Sequence, residues 1–222
     1  MGHHFNVAVF DVDGTLLDTS EGVLSSVQYT IKKHNLPKID EKTLRTFIGP
    51  PIQDSFARVY GLSGDILQEL AVTFRNQYKD VDLLKAVPYP GIYKVFETLL
   101  DAGIKPAIAT YKRQDYATVI MNHFGFNKYT DVIYGADHEN KLKKRDIIEK
   151  ALKDCGAVDF SQSVMIGDSD NDAIGASGIG TKFIGVTYGF GFRSISDVDK
   201  FDNVGVATTA EELIPLLVGG LQ

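Results

Sequence analysis

The sequence predicts an α/β fold, a doubly wound parallel sheet carrying an inserted all-helical domain. Three observations carry that expectation. Short, nearly continuous apolar runs recur along the chain, as expected of strands buried on both faces. Helical patterns lie between these runs, which favours parallel strands joined by crossover helices. One long stretch, residues 19–85, shows helical patterns and no strand signal.

The first run, Phe5-Asn6-Val7-Ala8-Val9-Phe10, stops abruptly at Asp11-Val12-Asp13-Gly14-Thr15. In the stretch that follows, Val23, Leu24, Val27 and Ile31 form one apolar stripe, and Ile66, Leu67, Leu70, Ala71 and Phe74 form another. Gly49-Pro50-Pro51 punctuates it, with proline placed to open a helix to about Tyr60. The expected division is therefore 1–18 with 86–222 as the α/β domain and 19–85 as the helical insertion. Pro90-Gly91 then opens a helix with Ile92, Val95, Phe96, Leu99 and Leu100 on one face, and Gly103 stands at its stop. Further strands are expected at 104–109, 132–134, 164–166 and 182–186. Helices are expected at about 113–124, 145–154, 171–178 and 209–217.

Charge and composition narrow the function classes. Across 222 residues, 23 Lys and Arg face 29 Asp and Glu, a net charge of −6 that disfavours a nucleic-acid-binding face. No apolar run approaches the roughly 18 residues of a membrane span, and no signal-peptide pattern is visible. The single cysteine, Cys155, allows no internal disulfide and fits a reducing compartment. The expectation is a cytoplasmic protein, monomeric or homodimeric, that engages neither nucleic acid nor membrane.

Two dense acidic clusters stand out, each directly after an expected strand: Asp11, Asp13 and Asp18, then Asp168, Asp170 and Asp172. Ligands of open α/β sheets bind beyond the carboxyl ends of the strands, so the two clusters can converge. Converging carboxylates require a cation, and hard oxygen donors favour magnesium or calcium. Taken singly, such aspartates also serve as turn formers and caps, with Asp170 and Asp18 the candidates. A calcium-loop reading of 168–179 fails, because Ala173 and Ile179 stand where glycine and glutamate are required. Thr110 offers a hydroxyl at the end of a third strand, and Lys141, Lys143 and Lys144 offer ammonium groups before a helix. Hydroxyl, ammonium and metal together suit a phosphoryl group. His34, His123 and His138 share no ligand spacing that would suit zinc.

At these residues the chain resembles the haloacid dehalogenase superfamily of phosphohydrolases. Asp11-Val12-Asp13-Gly14-Thr15-Leu16-Leu17-Asp18-Thr19 is similar to its first motif, Thr110 to its second, a lysine near 144 to its third, and Gly167-Asp168 through Asp172 to its fourth. The insertion resembles the family's type 1 helical cap. Arg45-Thr46-Phe47-Ile48-Gly49-Pro50-Pro51 and Pro90-Gly91-Ile92 resemble phosphoglycolate-phosphatase-like members. The resemblance implies a Rossmann-like core in which Asp11 is the nucleophile that becomes an aspartyl-phosphate and Asp13 the general acid and base. It implies Mg²⁺ held by Asp11, Asp168 and the backbone carbonyl of Asp13, with Asp172 as a further acidic contact. Thr110 and the lysine would bind phosphate, Lys144 standing best in register with Lys141 and Lys143 still open. Arg45 and Gly49 are the cap candidates for specificity, and a small phosphorylated metabolite is the implied substrate, phosphoglycolate or a 5′-nucleotide first. A sugar phosphomutase on the same core is the alternative. A signalling receiver is disfavoured, because it needs a phosphoryl-accepting aspartate where this chain has Ala109-Thr110. Tyr111, where a small or amide residue is common, has no evident role in the sequence.

Overall fold

The computed structural model describes residues 5–49, 51–137 and 141–219. Pro50, His3, His4, His138 and Asn140 lie outside them. The chain divides into two compact units, residues 1–18 with 88–222, and residues 19–87. The first strand, β1 (Val7–Phe10), is buried at all four positions, and the chain leaves its unit through β2 (Leu17–Asp18).

The second unit is helical: α1 (Ser20–Lys33), α2 (Glu41–Arg45), α3 (Ile52–Tyr60) and α4 (Asp65–Gln77), which runs on into a π-helical turn at Tyr78–Asp82. Its core joins Val27, Ile31 and Leu70 of the predicted stripes to Leu44, Phe47 and Phe56, which lie outside them. The N-cap of α1 is Thr19, one residue beyond the expected Asp18. Asp40 caps α2 by accepting from the Thr43 N–H at 2.7 Å. Asp82 is fully buried. Its carboxylate accepts from the hydroxyls of Ser25 (3.0 Å) and Ser26 (2.8 Å) and pairs with Lys85 at 2.8 Å, tying the start of α1 to the end of the unit.

The chain returns through β3 (Val87–Pro88) and alternates: α5 (Ile92–Asp101), β4 (Lys105–Arg113), α6 (Gln114–His123), β5 (Ile133–Ala136), α7 (Lys144–Asp154), β6 (Ser163–Gly167), α8 (Asp170–Ser177), β7 (Lys182–Val186), α9 (Ile195–Val198), β8 (Gly205–Ala207) and α10 (Leu213–Val218). Six strands form one parallel sheet in the order β5-β4-β1-β6-β7-β8. Side chains alternate across it. Val7, Val9, Ala107, Ala109 and Met165 face Ile147, Ile148, Ala151 and Leu152 of α7 and Ala173 and Ala176 of α8. Phe10 faces the other way and stacks on Phe96 of α5 at 4.8 Å.

Some boundaries differ from expectation. β4 runs to Arg113 rather than 109, and α10 begins at Leu213 rather than 209. The three-residue β8 was not anticipated, since it is too short for its alternation to stand out. Ser169 rather than Asp170 is the N-cap of α8. Among the described residues no helix is long and apolar enough to cross a membrane.

The sheet order places the site. From β1 the chain passes to β4 and β5 on one side, then returns to β6 on the other, so the strand order reverses around β1. The crevice at such a switch point is where ligands bind. Phe10 stands opposite both Ile108 and Ile166, so Asp11, Thr110 and Asp168 emerge at the same edge. Phe96, fully buried against Phe10, Phe126 and Tyr129, supports β1 from beneath. Phe96→Ala should cost about 3–5 kcal/mol in urea denaturation, as expected for truncating a buried aromatic residue.

Candidate active site

Asp11 continues β1, its N–H donating to the Ile166 carbonyl at 3.0 Å. The chain then folds tightly back: the Val12 carbonyl accepts from the N–H groups of Thr15, Leu16 and Leu17 at 3.0–3.3 Å. Gly14 makes this turn with φ +81°, and a Cβ there would lie 2.1 Å from Asp168 Oδ2. Left-handed backbone and lack of space thus both require glycine. Gly167 is constrained similarly, since its Cβ would meet the Asp172 carboxyl carbon at 2.3 Å.

Lys144, the first residue of α7, is buried and reaches across 133 residues of sequence. Its ammonium lies 2.6 Å from Asp11 Oδ1 and 2.7 Å from Asp172 Oδ1. Of Lys141, Lys143 and Lys144, it is Lys144 that the fold delivers to the two aspartates. Asp172 uses its other oxygen, Oδ2, as part of the α8 capping arrangement, accepting from the N–H (3.1 Å) and hydroxyl (2.7 Å) of Ser169. Asp168 Oδ2 accepts from the N–H groups of Phe190 (2.6 Å) and Gly191 (3.0 Å).

Asp11, Asp168 and Asp172 each place one carboxylate oxygen within 4.8 Å of the others, all three residues buried. Three carboxylates against one ammonium leave two formal negative charges out of water. Burial, reinforced by Asp172 and Asp11, pushes the Asp168 carboxyl up to about 7, although the Phe190 and Gly191 N–H groups pull the other way. Burial also raises Asp11 to about 6. Lys144 opposes that rise, while Asp172 and Asp13 add to it. Burial works against the charge on Lys144, but Asp11 and Asp172 more than offset it and hold the ammonium protonated. Asp172 Oδ1 is buried, with the Lys144 ammonium at 2.7 Å as its contact. Hard oxygen donors and excess negative charge together fit a divalent cation. The Asp13 carboxylate is outside this cluster and pairs with Lys112 at 3.1 Å.

The end of β4 supplies the third side. Ala109 pairs with Tyr134 but Arg113 with Ala136, so β4 carries extra residues here, as bulges near functional sites do. Thr110 is buried and its Oγ1 accepts from the Lys112 N–H at 3.1 Å, which leaves its own hydroxyl hydrogen able to donate. The Tyr111 hydroxyl accepts from the backbone N–H of Lys144 at 2.8 Å, and its ring centroid lies 5.6 Å from Lys144 Nζ. This gives the unexplained Tyr111 a role: it docks the start of α7 onto β4.

Tyr111 and Lys112 were not legible as site residues, the available signal being a lysine two positions after Thr110. The sequence leaves Gly189-Phe190-Gly191-Phe192 open between lining the site and turning the chain, and its Phe190 and Gly191 N–H groups donate to Asp168. Arg45 and Gly49 lie in the helical unit. Arg45 is exposed and pairs with Glu41 at 2.8 Å, while Gly49 has φ +102° and open space around it.

Residues 8–186 match the family described as haloacid dehalogenase-like hydrolase. The chain is 32% identical to a 5′-nucleotidase of Pseudomonas aeruginosa, over 82% of this chain and 83% of that protein. It is also 32% identical to the pyrophosphatase PpaX of Halalkalibacterium halodurans, over 96% of each. Among solved structures, a haloacid dehalogenase-like family hydrolase from Streptococcus pneumoniae superposes with TM-score 0.86 at 30% identity, covering 99% of both chains.

The raised Asp168 pKa sets a pH dependence. Its folded value of about 7 exceeds the ordinary 3.8, so between those values the native state binds more protons than the unfolded chain. The stabilisation is therefore greatest at low pH and is lost as pH rises toward 7. In the metal-free protein, the thermal midpoint of Asp168→Asn relative to the parent should rise between pH 5 and 8. Over the same range calorimetry should show divalent-cation binding to the parent tighten as protons leave Asp168 and Asp11.

Proposed function

The chain belongs to the haloacid dehalogenase-like hydrolase family, and we propose that it is a Mg²⁺-dependent phosphatase hydrolysing a small phosphomonoester through an aspartyl-phosphate on Asp11. The observation that carries this reading is the buried Lys144 bridge between Asp11 and Asp172, with Asp168 beside it and Thr110 at the same strand edge. The relatives' names, a nucleotidase and a pyrophosphatase, support phosphoryl chemistry and favour hydrolysis over the phosphomutase alternative.

The residues divide the work. Lys144 neutralises Asp11 and the incoming phosphoryl oxygens, so that two anions can approach. Thr110 donates its hydroxyl to a phosphate oxygen. An Asp11 oxygen bonds to phosphorus as the ester oxygen leaves, and Asp13 gives that oxygen a proton. Water then bonds to phosphorus, the Asp11–phosphorus bond breaks, and Asp13 takes the water's proton. Asp11, Asp168 and Asp172, with the backbone carbonyl of Asp13, would hold Mg²⁺, which supplies charge neutralisation at the phosphoryl group.

The helical unit would act as the cap, with Arg45 and Gly49 as its specificity residues. Phosphoglycolate and a 5′-nucleotide remain the first substrates to assay, and the second relative adds inorganic pyrophosphate. Cytoplasmic residence, consistent with the free, buried Cys155, and a monomeric or homodimeric state belong to the same proposal.

With Mg²⁺, the protein should hydrolyse p-nitrophenyl phosphate, and Asp11→Asn should lose at least about 10⁴-fold in kcat while keeping the parent's circular dichroism spectrum. Retained turnover in that variant would remove the nucleophile assignment. Arg45→Ala should raise KM for the preferred metabolite severalfold and leave p-nitrophenyl phosphate turnover unchanged. Equal effects on both esters would take Arg45 out of substrate recognition.

A further inference from the structure

Asp13 is held differently from the other carboxylates. It is 32% exposed at its side chain, yet its Oδ1 lies 3.1 Å from the ammonium of Lys112, whose side chain is only 6% exposed. Burying a lysine is costly unless it is paired, and the backbone around Lys112 is fixed on both sides. Its N–H donates to Thr110 Oγ1 at 3.1 Å. Its carbonyl packs against Gly135, where a Cβ would come within 2.5 Å. The hydrogen bond from the Lys112 N–H to Thr110 Oγ1, within the bulged end of β4, keeps the two residues adjacent. The ammonium is thus aimed at Asp13 from a rigid base, beside the hydroxyl expected to bind phosphate.

We propose that Lys112 is a positioning residue for Asp13. By holding Oδ1 at 3.1 Å it fixes this carboxylate apart from the Asp11–Asp168–Asp172 cluster, in place to exchange protons at the reacting oxygen. The inference rests on the phosphatase reading above. It matters at two points: proton donation to the departing alkoxide, and removal of the water's proton as water attacks the aspartyl-phosphate. In the second, the water oxygen bonds to phosphorus, the phosphorus–Asp11 bond breaks with its electron pair returning to Asp11, and the proton passes to the Asp13 carboxylate.

The two points separate by choice of leaving group. p-Nitrophenolate departs without a proton, so phosphorylation of Asp11 by p-nitrophenyl phosphate does not need Asp13, whereas dephosphorylation does. With this ester and Mg²⁺, Lys112→Met should lower kcat at least about tenfold while kcat/KM stays within about twofold, so KM falls in step. Rapid mixing should show a p-nitrophenol burst larger than the parent's and approaching one equivalent per enzyme. On an alkyl ester such as phosphoglycolate, kcat/KM should fall as well. Lys112→Arg should restore most of kcat, and Lys112→Gln serves as a second neutral variant if the methionine variant does not fold. The inference is overturned if kcat and kcat/KM on p-nitrophenyl phosphate fall together without a burst, or if neither changes. A parent protein inactive on every ester tried instead overturns the phosphatase reading itself.

Discussion

One ammonium group shared between two buried carboxylates is the constraint on which the site depends. Lys144 Nζ draws together the end of β1, through Asp11, and the start of α8, through Asp172. Taking an ion out of water costs several kcal/mol, and a buried pair breaks even only when its geometry and remaining hydrogen bonds are good. Here the count of charges is uneven by design of the sequence: Asp11, Asp168 and Asp172 against Lys144. The apoprotein stores that imbalance as raised carboxyl pKa values, and a divalent cation would relieve it. Stability and cation binding are therefore two aspects of the same electrostatic imbalance.

The imbalance persists because the backbone leaves the carboxylates no room to withdraw. Gly14 and Gly189 would each bring a Cβ within 2.4 Å of Asp168 Oδ2, and Gly167 would do the same to the Asp172 carboxyl. Side chains at these three positions would push the carboxylates apart. On the opposite side Tyr111 holds the first N–H of α7, a donor that the helix itself leaves without a partner. It fixes the position from which Lys144 reaches inward. The site is thus set by close backbone approach on one side and a hydrogen-bonded helix start on the other.

These supports explain what the sequence disclosed and what it withheld. The parallel sheet was legible because β1 and β6 are continuous apolar runs, and Asp11 and Asp168 were legible because each follows its strand directly. Thr110 followed from the same rule. The β4 bulge was not legible, since extra residues in a strand leave no mark on its apolar run, and Tyr111 and Lys112 depend on it. The amides of Phe190 and Gly191 could not be found by side-chain chemistry, because what they contribute is backbone N–H. Asp18 and Asp170 attracted cap assignments that belong to Thr19 and Ser169. Aspartate, serine and threonine compete closely at that position, and a one-residue shift costs little in composition.

The separation of Asp11 from Asp13 shows why net charge says little about substrate. The two carboxylates are two residues apart in an acidic chain, and each faces its own lysine: Asp11 meets Lys144 and Asp13 meets Lys112. On the phosphatase proposal, Asp11 as nucleophile must stay ionised beside an incoming anion, and Asp13 as proton-transfer group must remain clear of the Lys144 ammonium. Placing them in one charge cluster would defeat both requirements, since each would compete for the same ammonium and the same metal. Turning the chain at Gly14 and drawing Asp13 toward β4 gives each carboxylate a separate partner, so one short acidic motif presents two electrostatic environments. An anionic ester approaching this edge of the sheet responds to Lys144 at a few ångströms, where screening is weak. Charges more than a Debye length away are largely screened.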